Sequence, residues 1–173
     1  MPRGDSARKV VRVFWRKLDA TSAGALLNET PPSGTGAGAK HIPIHANIDI
    51  VDLLGGPSPS GGTTSEPIYA IPVEGPGGIR KTLEIEFDIR GNSNPPRQEW
   101  RVLRQNAGDR HPAWKPGGKL PNTKSGIVGN YIFLFRLADG SVHARVAPPE
   151  EVARMPKQIR EHVLAESQGL LIL

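Results

Sequence analysis

Leu83-Glu84-Ile85-Glu86-Phe87-Asp88-Ile89-Arg90 decides the fold, because apolar and charged residues alternate along it without a break. A repeat of two is the signature of a half-buried β-strand. It predicts Leu83, Ile85, Phe87 and Ile89 on a core face and Glu84, Glu86 and Asp88 toward solvent. The row of acids makes that outer face negative, so contact with any anionic partner is expected beyond its end, from Arg90 onward, or from another edge.

Outward from this strand, β-prone segments recur. Val11 to Leu18, His41 to Ile44, Tyr69 to Val73, Trp100 to Leu103, Tyr131 to Leu137 and Val142 to Val146 are each bounded by polar or turn residues. Pro76-Gly77-Gly78 predicts a turn, and Asp139-Gly140 predicts a hairpin between the last two strands. Ile48 to Leu54 suits a short helix capped by Asn47 or Asp49, although its Ile and Val content also permits a strand. Pro149 to Ala165 predicts a helix with Glu150 and Glu151 in its first turn, divided by Pro156. Residues 28–40, 55–66 and 105–126 read as long loops. The apolar Leu170-Leu171-Ile172-Leu173 either returns to the sheet or precedes further chain. The expectation is one mainly β domain over 1–173, core about 10–165, forming an open barrel with short helices.

The chain has 173 residues, a formal charge of +5 and no cysteine. Disulfides, thiolate-bound zinc and thiol nucleophiles are excluded, and the composition suits a reducing cytoplasm. No apolar run reaches membrane-spanning length, so a soluble protein is expected. Residues 90–119 carry seven Lys or Arg against two acids, and residues 1–20 carry six against two. Two basic segments on an otherwise slightly acidic chain fit a nucleic-acid binder or ordinary solvated surface.

Arg97-Gln98-Glu99-Trp100-Arg101 adds the chemistry. Arginine forks fit guanine or phosphate, glutamine can pair with adenine, and glutamate can accept from cytosine N4. A hairpin-like connection between 90 and 100, stiffened by Pro95-Pro96, would project this segment from the scaffold. Alternation would put Arg97, Glu99 and Arg101 on one face, with Glu99 either touching a base or orienting an arginine. Phe14 and Trp15 read as core.

Phe14-Trp15-Arg16-Lys17-Leu18-Asp19-Ala20-Thr21-Ser22-Ala23-Gly24, Gly36 to Ile44, Arg97 to Arg101 and the 131–140 hairpin together resemble the N-terminal DNA-binding domain of EcoRII-type restriction endonucleases. That domain has a pseudobarrel fold shared with plant transcription factors. The resemblance covers roughly residues 11–146. It departs from the family pattern in a Pro/Gly-rich piece at 28–36 and in Trp100, which stands where the family run Arg-Asn-Glu-Lys-Arg has a basic residue.

The resemblance implies a DNA-binding pseudobarrel gripping duplex DNA through the major groove with two arms. The first arm would comprise Arg16, Lys17, Asp19, Thr21, Ser22, Lys40 and His41. The second would comprise Arg90, Asn92, Ser93, Asn94, Arg97, Gln98, Glu99, Arg101 and Arg104, with Arg110, Lys115 and Lys119 on phosphates. It further implies a monomeric target-recognition domain of a prokaryotic type II restriction endonuclease. Binding would need no cofactor, and magnesium would serve only a separate catalytic domain beyond residue 173.

Two other readings stay open, a self-contained metal-dependent nuclease and a basic protein-interaction domain. His41, His45, Glu84 and Glu86 could be assembled into a metal site only without a compact ligand motif. Ser22 and Ser125 lack a nucleophile elbow, and Gly34 to Lys40 does not match a nucleotide-binding phosphate loop.

Overall fold

The computed structural model describes residues 9–27, 41–78, 80–103 and 124–173. The expected loop at 28–40 and the expected loop at 105–126, up to residue 123, lie outside the described residues. In chain order the elements are β1 (Val10–Lys17), α1 (Ala20–Leu27), β2 (His41–His45), α2 (Ile50–Leu53), β3 (Gly61–Gly62), β4 (Pro67–Glu74), β5 (Arg80–Arg90) and β6 (Arg97–Leu103). There follow α3 (Lys124–Ile127), β7 (Tyr131–Leu137), β8 (Val142–Ala147), α4 (Pro149–Val152), α5 (Lys157–Ala165) and β9 (Gln168–Ile172).

These strands form one mainly β sheet in the order β2-β6-β5-β4-β8-β7-β1-β9, with β3 added against β4. The sheet curls into a nearly closed barrel, as the sequence predicts. Two antiparallel leaves compose it. β2, β6, β5 and β4 form one, and β8, β7, β1 and β9 form the other. They join through a short parallel pairing of Val73 with Val142 and Glu74 with His143. On the opposite side the terminal strands β2 and β9 face each other, and the Gln168 Oε1 accepts the His45 backbone N–H at 3.0 Å.

Alternation explains what fills the barrel. Phe14, Ile42, Ile44, Ile71, Leu83, Ile85, Val102, Leu134 and Val146 share one buried cluster. Helices α1 and α2 add Ala23, Leu26, Ile50 and Leu53 to it. A four-residue helix cannot stand alone, because nucleation fixes several residues for each early hydrogen bond. α2 persists because Ile50 and Leu53 are fully buried, each contributing about 1.5–3 kcal/mol. Asp49 caps it by accepting the Asp52 N–H, and Asp52 in turn pairs with Arg12 of β1 at 2.7 Å.

A second cluster lies on the other face of β1 and β7, where Val13, Trp15, Tyr131 and Phe133 meet Val152, Ile159 and Val163 of α4 and α5. The spacing of Ile159 and Val163 puts both on one helix stripe. The expected division of this helical region at Pro156 is observed. The apolar chain end returns to the sheet as β9, and Leu170 packs on the barrel core. Helix α1 is not in the sequence reading, and α3 occupies part of an expected loop. Among the described residues no helix is long and apolar enough to cross a membrane.

Gly169 of β9 faces the indole of Trp15, where an added Cβ would overlap the ring. The ring cannot withdraw freely, since it is buried and its Nε1–H donates to the Glu166 carbonyl at 3.1 Å. Gly169→Ala is therefore expected to destabilise the fold by about 1–3 kcal/mol through overpacking, measured by urea unfolding.

Candidate nucleic-acid interface

The Arg97 segment does not project from the scaffold. β6 begins at Arg97 and pairs with β5 as far as Arg90 opposite Arg97, so only residues 91–96 form the hairpin connection. Trp100 explains the difference. Its ring lies edge-on to Phe87 at 4.8 Å and near Tyr69 at 6.0 Å, which holds the middle of the segment to the barrel. Asn92, Ser93 and Asn94 are exposed in the connection, and the Ser93 hydroxyl donates to the Pro95 carbonyl.

With Trp100 inward, Arg97, Glu99 and Arg101 share the outer face. Glu99 orients arginines here. Its Oε1 accepts two N–H bonds from Arg101 at 2.9 Å each, and its Oε2 accepts one from Arg97 at 2.9 Å. Arg101 is 4% exposed and Glu99 8%, so both are part of the interior of the face.

Asp88 completes the hub and departs from the expected solvent-facing row. Glu84 is exposed, but Asp88 is half-buried, directly across from Glu99. Two facing carboxylates repel unless a cation lies between them. Arg101 is that cation, 2.7 Å from Asp88 Oδ2, and Arg90 Nε approaches the same oxygen at 2.7 Å. That oxygen receives no well-directed hydrogen bond, so these contacts act through charge. The side chains of Arg90 and Arg97 stay 62% and 75% exposed. The result is two opposed, outward guanidinium groups, each close to an acid two residues along its own strand.

His41 of β2 borders the hub, with Nε2 3.5 Å from Glu99 Oε1. Burial lowers its pKa below the usual 6.5, and the Arg101 charge adds to this against the pull of Glu99. For Glu99 burial acts upward, but hydrogen bonds from Arg101 and the charges of Arg97, Arg101 and His41 outweigh it, leaving the carboxyl below its usual value.

The first-arm residues fall into different roles. Asp19 caps α1, accepting the Ser22 N–H at 2.7 Å. Burial would raise its pKa, yet bonds from Ser22 and Thr21 and the charge of Arg16 bring it below the usual value. Ser22 is fully buried and lies 3.4 Å from the donor Nε of Arg16. Burial lowers the Arg16 guanidinium pKa, opposed by Asp19 and Glu99. Thr21 and Lys17 are exposed, and the Lys17 ammonium sits 5.9 Å from the centre of the Tyr131 ring.

Arg16 nevertheless meets the second set. It lines a hollow of about 260 Å³ together with His45, Arg97, Gln98, Glu99 and Gln168. Gln168 is not singled out by the sequence, Asp88 is read there only as a solvent-facing acid, and His45 only as a possible metal ligand. The i, i+2 spacing of Asp88 from Arg90 was a usable signal, whereas nothing local marks Gln168. Lys40, Arg104, Arg110, Lys115 and Lys119 lie outside the described residues. Among the described residues no three His, Asp or Glu side chains gather as a metal site, so His41, His45, Glu84 and Glu86 do not assemble one. No protein-family model matches the chain, and no curated protein matches its sequence.

Glu99→Gln is expected to cost about 2–3 kcal/mol in unfolding free energy, because it removes the charge that holds Arg97 and Arg101. Acid should weaken the fold from two sources. His41, lowered in the native state, binds its proton more readily when unfolded, so stability falls as pH drops through its usual 6.5 toward its native value. Glu99 contributes above its usual 4.5 and loses that contribution as pH falls through its lower native value. Thermal midpoints between about pH 7.5 and about pH 5.5 should fall for the wild type and fall less for His41→Gln.

Proposed function

We propose that this chain is a sequence-specific double-stranded DNA recognition module, the target-recognition domain of a type II restriction endonuclease. The observation that carries this reading is the pair Arg90 and Arg97, exposed, opposed across the hairpin, and each beside a partly or fully buried carboxylate. A guanidinium oriented before binding loses less freedom when it meets a base edge or phosphate. Arg90 and Arg97 also gather positive charge at the hairpin end of a face whose acids Glu84 and Glu86 lie farther along β5, and that end favours a polyanion.

The barrel-like fold agrees with the family resemblance in the sequence. In this reading the hairpin with Arg90, Asn92, Ser93, Asn94, Arg97 and Gln98 enters the major groove, while Lys17 and Thr21 approach it from the first arm. Glu99 and Arg101 position the readers and do not touch bases. Asp19 caps α1, and Arg16 lies beside Arg97 and Gln98 of the hairpin strand. Cleavage belongs to a separate catalytic domain, and the isolated module binds as a monomer without metal.

Selection from a randomised duplex pool at roughly physiological salt, without metal, is expected to enrich one short site. Absence of enrichment by a folded protein would sink the sequence-specific reading, and magnesium-dependent cutting by the isolated chain would replace it with a nuclease. On the enriched site, Arg97→Ala should cost about 1–3 kcal/mol of discrimination between that site and a mismatched one. Equal weakening on both duplexes would assign Arg97 to phosphate. Lys17→Ala should weaken both duplexes alike and lower the salt dependence.

A further inference from the structure

We propose that His41 is a proton-linked control on this interface: it takes up a proton as a polyanion binds, so that DNA affinity rises as the pH falls. The inference rests on the DNA-recognition reading and adds regulation to it. Its basis is the division of labour on Glu99. One oxygen accepts both Arg101 bonds and faces His41, while the other holds the outermost arginine, Arg97.

The groups around His41 set the direction of coupling. β6 presents Glu99 and Arg101, β5 presents Asp88 and Arg90, and His45 follows on the same face of β2. Arg16 of β1 also acts on Glu99 through its charge. Burial first, and then the charges of Arg101 and Arg90, disfavour the His41 imidazolium in the unbound protein against the pull of Glu99 and Asp88. A phosphate chain laid over Arg90 and Arg97 supplies negative charge that offsets their repulsion, which favours the imidazolium. The imidazolium then gives Glu99 an additional cation. The charge so gained lies beside Arg97, whose guanidinium stays on Glu99 with its side chain 75% exposed to the ligand. Both effects act in one direction, and reciprocity requires that a proton taken up on binding strengthens binding at lower pH.

The test is fluorescence anisotropy with a labelled duplex of about 20 base pairs carrying the enriched site, at constant salt from about pH 8 to about pH 6, with circular dichroism confirming the fold throughout. Affinity should rise toward the acid end by at most about tenfold per pH unit, the limit for one linked proton. His41→Gln should remove most of that slope, whereas His45→Gln should keep it. A direct measurement needs no variant: the His41 ring proton, followed by NMR, should titrate at higher pH with the duplex than without it. Binding with no pH slope, a slope retained by His41→Gln, or a His41 titration unmoved by the duplex each overturns the proposal while leaving DNA recognition standing. Failure to bind at every pH overturns the recognition reading and this one with it.

Discussion

The Arg101 guanidinium, set between Asp88 and Glu99, is the interaction on which the candidate interface depends. Pairing of β5 with β6 puts those two carboxylates directly opposite each other on a largely buried part of the sheet. Without the arginine that register would place like charges face to face with little water to screen them. With it, the acids become fixed anions beside which Arg90 and Arg97 face outward. Such a cluster gives up solvation that apolar side chains would not have had to lose. Its value to the molecule is therefore better sought in geometry than in stability.

The barrel supports the same conclusion from beneath. Trp100 and Val102 hang from the same strand into the core, and Phe87 meets Trp100 edge-on. Arg101 thus stands between residues pinned in the core, and strand pairing extends that order to Arg90 and Arg97. A loop could carry the same side chains, but it would leave their spacing to fluctuate. Here the strand pairing fixes it.

Much of the fold was legible because strand signals are local. The alternation at 83–90, the apolar run at 131–137, the Asp139-Gly140 turn and the break at Pro156 all correspond to elements at the expected places. Helix α1 was missed because Ala20 to Leu27 offers small residues and weak periodicity, although Asp19 is a good cap for it. The site was only partly legible. Alternation told which side chains share a face, hence the grouping of Arg97, Glu99 and Arg101. It did not tell that Trp100 would carry the strand back to Arg97, or that Asp88 would be drawn into an ion cluster. Those depend on residues brought together by register, not by sequence distance. Gln168, far along the chain, joins the hollow for the same reason.

The seam between β2 and β9 bears on how this protein avoids its own copies. An open sheet offers backbone groups at its two margins, and such margins template aggregation. Curling turns the margins toward one another. On β2, Pro43 contributes no N–H, and the His45 N–H is already engaged by the Gln168 side chain. One proline and one glutamine thus blunt the β2 margin, giving a barrel that is not fully hydrogen-bonded shut a measure of colloidal safety at that seam.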